Sequence, residues 1–271
     1  MKFSSEKPKA YIAFLDILFV MILSVSGSIP GILSTIVYFL AFLVPIIIGY
    51  HGTAKNNNPR DFVSEFKISA SAPFAFPTLA SVMLLAFVTS AVITAITGKT
   101  NTVDLGDSVV TATILHALLP AILEEGLFRY IPMRAMKGER PLVVIIYTGA
   151  LFALIHHSFF SLPYAFFAGA VFMLLDLMVG SVWPSVIIHF LNNLLSVLWY
   201  FYSGKEAFVP IVIASLTLLV AVSLALIIKN RKYYGERLRE LLSPSDTKIE
   251  IPSEAWILTV PMLVLAILEL I

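Results

Sequence analysis

Two adjacent carboxylates lie in the middle of an apolar stretch of the chain. Glu124 and Glu125 occur within residues 109–134, a segment long enough to cross a membrane, and Arg129 follows in the same segment. An ionised carboxylate at the bilayer centre costs roughly 2.5–3.5 kcal/mol on insertion scales, so these acids are functional candidates. Glu125 and Arg129 are four residues apart and share one helix face. The arginine can therefore pair with one carboxylate and leave the other, Glu124, free to act as a base. The structural alternative is a Glu–Arg clamp between two helices.

Two later apolar segments carry imidazole and amide groups. His156 lies near the end of an apolar segment that covers residues 141–159, and His157 follows it directly. Adjacent histidines point in different directions, so at most one of them is expected to face the same cavity as Glu124. His189 and Asn193 are four residues apart, share a helix face and can both donate hydrogen bonds to one oxygen. The alternative for each of these groups is a hydrogen bond that holds two helices together.

Acids, imidazoles and an amide gathered in apolar segments indicate chemistry on a bond rather than simple anchoring. A hydrolytic reaction of this kind would need a nucleophile, a proton shuttle and donors directed at the developing oxyanion. The chain contains no cysteine, and no serine lies in a nucleophile-elbow context. A water molecule activated by a carboxylate is the nucleophile that remains.

The elements that must position these groups are apolar helices. Of 271 residues, 59% are hydrophobic and 13% are charged, about half the charged share of a soluble domain. We therefore predict an all-α, polytopic transmembrane helix bundle of about nine spans, forming a single integral membrane domain over residues 1–271. The predicted spans are residues 10–27, 31–50, 74–97, 108–134, 141–159, 163–179, 183–202, 207–229 and 255–271. The net charge of +1 indicates no nucleic-acid partner, and membrane lipid is the expected surrounding.

Loop charge predicts the orientation of these spans. With the N-terminus in the cytoplasm and alternating crossings, 15 of the 18 basic residues fall on the cytoplasmic side and only two fall outside. This asymmetry is typical of the positive-inside rule. It predicts a multi-pass protein of the cell membrane with a cytoplasmic N-terminus and an external C-terminus. The N-terminal segment lacks an A-x-A-like cleavage site and is expected to be a first anchor. The 15 basic residues are Lys2, Lys7, Lys9, Lys55, Arg60, Lys67, Arg134, Lys137, Arg140, Lys229, Arg231, Lys232, Arg237, Arg239 and Lys248.

Three motifs occur in order on successive apolar segments. They are E-E-x-x-x-R from Glu124, F-x-x-x-H ending at His156, and H-x-x-x-N from His189. The set resembles the CAAX protease and bacteriocin-processing family of intramembrane glutamate proteases, whose best-known branch is the type II CAAX prenyl endopeptidase. The stretch beginning at Gly180, GSVWPSVIIHFLNN, is similar to the context of the third motif. The motif-bearing helices over residues 108–202 are the expected catalytic core of four helices.

The resemblance implies a role for each matching residue. Glu124 would activate the water molecule, and His156 would assist it. His189 and Asn193 would stabilise the oxyanion. Glu125 and Arg129 would support the site without touching the reacting atoms. The implied activity is an endopeptidase acting on a peptide or protein substrate at the membrane, without a cofactor or a metal ion.

Two alternatives stay open at this point. Glu124, His156 and His189 could together bind zinc in a metal-dependent membrane protease, although the chain has no H-E-x-x-H motif. The same scaffold could instead act without proteolysis, as a bacteriocin-immunity or membrane interaction protein. A transporter is disfavoured because no internal repeat is visible.

Overall fold

A computed structural model of the protein describes residues 7–26, 29, 31–58, 61–63, 68–98, 104–156 and 162–243. These residues form helices, turns and loops with no strand, which confirms the all-α prediction. His157 and the predicted ninth span, residues 255–271, lie outside the described ranges. The helices are α1 (Pro8–Ser26), α2 (Ile32–Thr53), α3 (Ile68–Thr97), α4 (Val109–Ala135), α5 (Pro141–Leu154), α6 (Leu162–Val179), α7 (Trp183–Tyr202), α8 (Phe208–Lys229) and α9 (Arg231–Leu242).

Seven of these helices are long and apolar enough to cross a membrane: α1 to α4 and α6 to α8. They support a multi-pass membrane protein and confirm the predicted polytopic bundle. The boundaries differ most from the prediction in two places. Helix α3 begins at Ile68, six residues before the predicted span, and α5 ends at Leu154, five residues before the predicted end. With 14 residues, α5 is shorter than the other apolar helices.

Helix α4, which carries the two acids, is not a regular α-helix. Over Thr113–Leu118 and Gly126–Tyr130 its turns widen to an i→i+5 hydrogen-bond pattern, as in the bond from the Ile131 N–H to the Gly126 carbonyl. A proline follows each wide stretch, at Pro120 and Pro132. A proline ring clashes with the carbonyl four residues earlier, and a wider turn relieves that clash. Such turns are frequent at functional sites.

The loops that the charge pattern assigns to the cytoplasm meet at one end of the bundle. Lys9 at the start of α1 forms an ion pair with Glu139 at 2.9 Å, and Lys137 pairs with Asp61 at 3.0 Å. The Lys137 ammonium group lowers the pKa of the Asp61 carboxyl. Arg134 is almost fully buried there and donates to the Thr53 hydroxyl and a loop carbonyl. These contacts agree with alternating helix directions, while the side of the membrane stays a prediction.

Helices α5 and α6 approach each other closely through glycines. A Cβ atom added at Gly149 would lie 3.1 Å from the backbone nitrogen of Ala170, and one at Gly169 would lie 3.0 Å from the Gly149 Cα. Small residues at such crossings let helix backbones touch, which is a common source of helix association in membranes. This contact fixes α5 against α6 beside the two acids.

Candidate active site

Glu125 lies at the centre of a buried cluster of charged groups. Its side chain is fully buried, and its two oxygens contact different partners. Oε2 lies 3.2 Å from Nε of Arg129, one turn further along α4, and Oε1 accepts a hydrogen bond from Nδ1 of His189 on α7 at 2.7 Å. The predicted pairing of Glu125 with Arg129 is therefore confirmed. The contact with His189 was not predicted, and it joins the first motif to the third.

Arg129 is also fully buried, and aromatic rings hold its guanidinium group. Its Cζ atom lies 4.3 Å from the centre of the Phe152 ring on α5 and 5.6 Å from that of Phe172 on α6. A cation over an aromatic face is stabilised by the ring quadrupole, by about 2 kcal/mol when both groups are dehydrated. Helices α4 to α7 therefore all contribute side chains to one cluster.

Glu124 lies on the other side of the His189 ring and is the more accessible acid. Its side chain is 17% exposed, and its Oε2 atom lies 3.8 Å from Nε2 of His189. This separation is longer than a hydrogen bond. One imidazole thus stands between two carboxylates, bonded to the buried one and facing the partly exposed one. Donating the Nδ1 proton to Glu125 leaves Nε2 directed toward Glu124, where both groups can act on the same water molecule.

The remaining two predicted site residues are less closely tied to the acids. His156 is exposed at the end of α5, and its Nδ1 atom lies 2.7 Å from the Phe152 carbonyl of its own helix. Among the described residues, no hydrogen bond or ion pair joins it to Glu124 or His189. Its ring packs on that of Phe152, with 4.7 Å between the centroids. The Phe152 ring also contacts the His189 ring, at 6.5 Å, and so connects the two histidines.

Asn193 is half-buried one turn after His189 on α7. Its Oδ1 atom accepts a long contact of 3.5 Å from the neighbouring Asn192. The Nδ2 group of Asn192 also donates to the hydroxyl of Tyr164 on α6 at 3.1 Å. That hydroxyl lies within electrostatic range of Glu124. Sequence reasoning missed Tyr164, because a single tyrosine in an apolar helix carries no spacing signal.

The comparison with known families agrees with the motifs. Residues 106–195 match the family described as type II CAAX prenyl endopeptidase Rce1-like. This segment of the chain is similar to the Rce1-like CAAX proteases. The match runs from just before α4 into α7 and contains every predicted site residue. It confirms the resemblance drawn from the three motifs. No curated protein and no solved structure matches the chain.

Proposed function

We propose that the protein is an intramembrane endopeptidase that hydrolyses a peptide bond with water activated by Glu124. The observation that carries this proposal is the placement of the His189 ring between two acids of different accessibility. Glu125, paired with Arg129 and fully buried, suits a supporting role. Glu124 is partly exposed and has no cation within hydrogen-bonding distance among the described residues, which suits a base that must meet water and substrate.

The chemistry follows from these positions. Glu124 accepts a proton from a water molecule, and the oxygen attacks the scissile carbonyl to form a tetrahedral intermediate. Nε2–H of a doubly protonated His189 donates to the oxyanion, while its Nδ1–H stays bonded to Glu125. Glu124 then returns its proton to the departing amine as the C–N bond breaks. No group other than the peptide and one water molecule is consumed.

Asn193 and His156 complete the proposal in accessory roles. Asn193 follows His189 by one helical turn, so its amide can supply a second donor to the oxyanion. His156 is exposed and connected to His189 only through the Phe152 ring among the described residues. It can assist the water or the leaving group once a substrate fills the space between the helices.

The zinc-dependent alternative uses the same residues and needs a separate test. In the described part of the chain, no group of three or more histidine, aspartate and glutamate side chains is arranged to hold a metal ion. Purified protein should keep its activity after treatment with a chelator, and its zinc content should stay well below one ion per chain. Loss of activity that added zinc restores would favour the metal-dependent mechanism.

The proposed function is tested by comparing membrane peptides from cells that express different variants. Cells with the wild-type protein should accumulate peptides with new termini that are missing with Glu124→Ala. Glu206→Ala, a change of an exposed acid in the loop before α8, is the matched control and should give the wild-type profile. Indistinguishable peptide profiles from wild-type and Glu124→Ala cells, at equal protein levels, would contradict the proposal.

A further inference from the structure

A second buried acid lies next to the site and belongs to none of the three motifs. Asp176 is near the end of α6, in the last turn before the α6–α7 connection, and its side chain is completely buried. It lies within electrostatic range of both Glu125 and Arg129. A carboxylate in such an environment is costly, so its contacts have to explain its presence.

Asp176 binds the start of the next helix. Its Oδ2 atom accepts a hydrogen bond of 2.6 Å from the Ser185 hydroxyl, and its Oδ1 atom accepts one of 3.2 Å from the Ser185 N–H. The first N–H groups of a helix have no partner within the helix. Ser185 is the third residue of α7. The N-cap residue of that helix, Val182, makes no side-chain cap bond, and the Ser181 hydroxyl accepts a long bond of 3.4 Å from the Trp183 N–H. Asp176 therefore takes the role that an N-cap side chain usually has, but from the preceding helix.

The conformation of the connection between α6 and α7 allows this contact. Gly180 adopts a φ of 76°, a left-handed conformation that glycine tolerates best. The N–H groups of Gly180 and Ser181 both bond to the Asp176 carbonyl, at 2.7 and 3.2 Å. The chain thus turns sharply after α6 and brings Ser185 back onto the Asp176 side chain. Asp176 holds the connection with its backbone carbonyl and α7 with its carboxyl group.

Ser185 links Asp176 to His189, the histidine proposed to act in catalysis. It lies four residues before His189, so the two side chains share one face of α7. Ser185 also lies within interaction range of the Glu125 carboxyl group. A rotation of α7 by one residue would turn this face about 100° away from α4. It would break the 2.7 Å bond between His189 and Glu125.

We propose that Asp176 and Ser185 are positioning residues that fix the rotation and height of α7, so that His189 Nδ1 meets Glu125 and Nε2 faces Glu124. The expected effect on catalysis rests on the proposed function. The expected effect on the orientation of His189 rests on the hydrogen bonds alone. Neither residue touches the reacting atoms. Their effect passes through the His189 ring.

Three variants separate positioning from general stability. Asp176→Ala removes both hydrogen bonds to Ser185. Asp176→Asn keeps them, because the amide oxygen can accept from the Ser185 N–H and the amide N–H can donate to its hydroxyl. The single hydrogen of the Ser185 hydroxyl is then free to bond to the Val182 carbonyl, whose oxygen lies 2.9 Å away. Tyr147→Phe is the matched control, since it removes a buried 2.7 Å hydrogen bond between α5 and the Lys9 carbonyl of α1, and so involves neither α6 nor α7.

The kinetic result should distinguish these variants. Per folded molecule, we expect Asp176→Ala to lower kcat on the order of 10²-fold with little change in KM, because misplacing a catalytic group by about 1 Å has an effect of that size. Asp176→Asn and Tyr147→Phe should keep kcat close to that of the wild type. If Asp176→Ala does not fold, Ser185→Ala removes only the hydroxyl contacts and should give a smaller loss of the same kind.

A second readout does not depend on activity. The chain has only five histidines, so the ring nitrogens of His189 can be observed by NMR of protein labelled at histidine and assigned with His189→Gln. The Nδ1 signal should report a strong hydrogen bond in the wild type, Asp176→Asn and Tyr147→Phe. It should lose that signature in Asp176→Ala, or in Ser185→Ala if Asp176→Ala does not fold.

The two readouts fail in different ways. The positioning role would be overturned if the tested alanine variant kept both the His189 signal and the kcat of the wild type. Asp176 would then serve only to cap the start of α7. Equal losses in Asp176→Asn and Asp176→Ala would overturn it too, since they would assign the effect to charge. If wild-type protein cleaves no peptide, the proposed function fails, while the NMR comparison still decides whether Asp176 orients His189.

Discussion

Replacing either of the two adjacent glutamates with glutamine should give opposite phenotypes. Glutamine keeps the volume of glutamate but cannot accept a proton as a base. In Glu125→Gln, the fully buried Arg129 loses its anion at 3.2 Å, and the buried His189 loses a charged acceptor at 2.7 Å. Removal of one partner from a buried ion pair destabilises proteins by about 3–5 kcal/mol. We expect a loss at the lower end, about 3 kcal/mol, because the glutamine oxygen can still accept one of the two contacts.

Glu124→Gln should instead leave the fold intact and abolish hydrolysis. Glu124 is 17% exposed, and its contact with His189 is 3.8 Å long. Because this contact is too long for a hydrogen bond, its loss should change the stability little. Loss of a general base lowers turnover by about 10²–10⁴-fold. The two variants therefore separate stability from catalysis at neighbouring positions on one helix.

The assay measures both quantities on the same purified samples. Thermal unfolding in detergent, followed by tryptophan fluorescence, gives the apparent melting temperature. Cleavage of a peptide identified in the cellular comparison, divided by the folded fraction, gives turnover per folded molecule. Glu125→Gln should unfold at clearly lower temperature than Glu124→Gln. Wild-type turnover in Glu124→Gln would refute the assignment of the base, and wild-type stability in Glu125→Gln would refute the role of the buried ion pair.

Three further predictions concern the oxyanion donor, the topology and the helix crossing. Asn193→Ala should lower kcat by roughly 10²–10³-fold while KM rises little, as for other oxyanion donors; a lower melting temperature with unchanged turnover would instead indicate interhelical packing. Ser245→Cys, which gives this cysteine-free chain a single thiol, should react with an impermeant maleimide only after cells are opened. Labelling in intact cells would contradict the cytoplasmic assignment of that loop. Gly169→Leu should force α5 from α6 at Gly149 and lower the melting temperature by more than Gly204→Leu, a change in open space; similar temperatures for both would count against the crossing as a stabilising contact.

Hydropathy predicted the helices well because a bilayer requires long apolar segments, and it failed where helix length is set by packing. Helix α5 ends at Leu154, although apolar residues continue beyond it in the sequence. Within α4, the spacing of Glu125 and Arg129 predicted their ion pair, since both lie on one helix. The bond from His189 to Glu125 could not be predicted in this way. It joins two helices, and their relative rotation depends on contacts such as those of Asp176 with Ser185.

The position of His156 illustrates the same difference. The order of the motifs suggested that its imidazole would meet Glu124, but the F-x-x-x-H spacing only ensures that His156 lies one turn after Phe152. In the structure, that proximity gives a contact between the two rings and a hydrogen bond from His156 back to the last turn of α5. Its proposed assistance to catalysis stays a prediction.

The shortness of α5 has a consequence for the surrounding lipid. Its 14 residues extend about 21 Å, whereas the hydrocarbon core of a typical bilayer is about 30 Å thick. Most of the α5 side chains are buried against other helices. Where its exposed face meets lipid, the bilayer has to thin, or the polar groups at the end of the helix have to be hydrated below the headgroups. The exposed imidazole of His156 lies at that end. Under the proposed function, either adjustment would shorten the path of water from bulk solvent to Glu124.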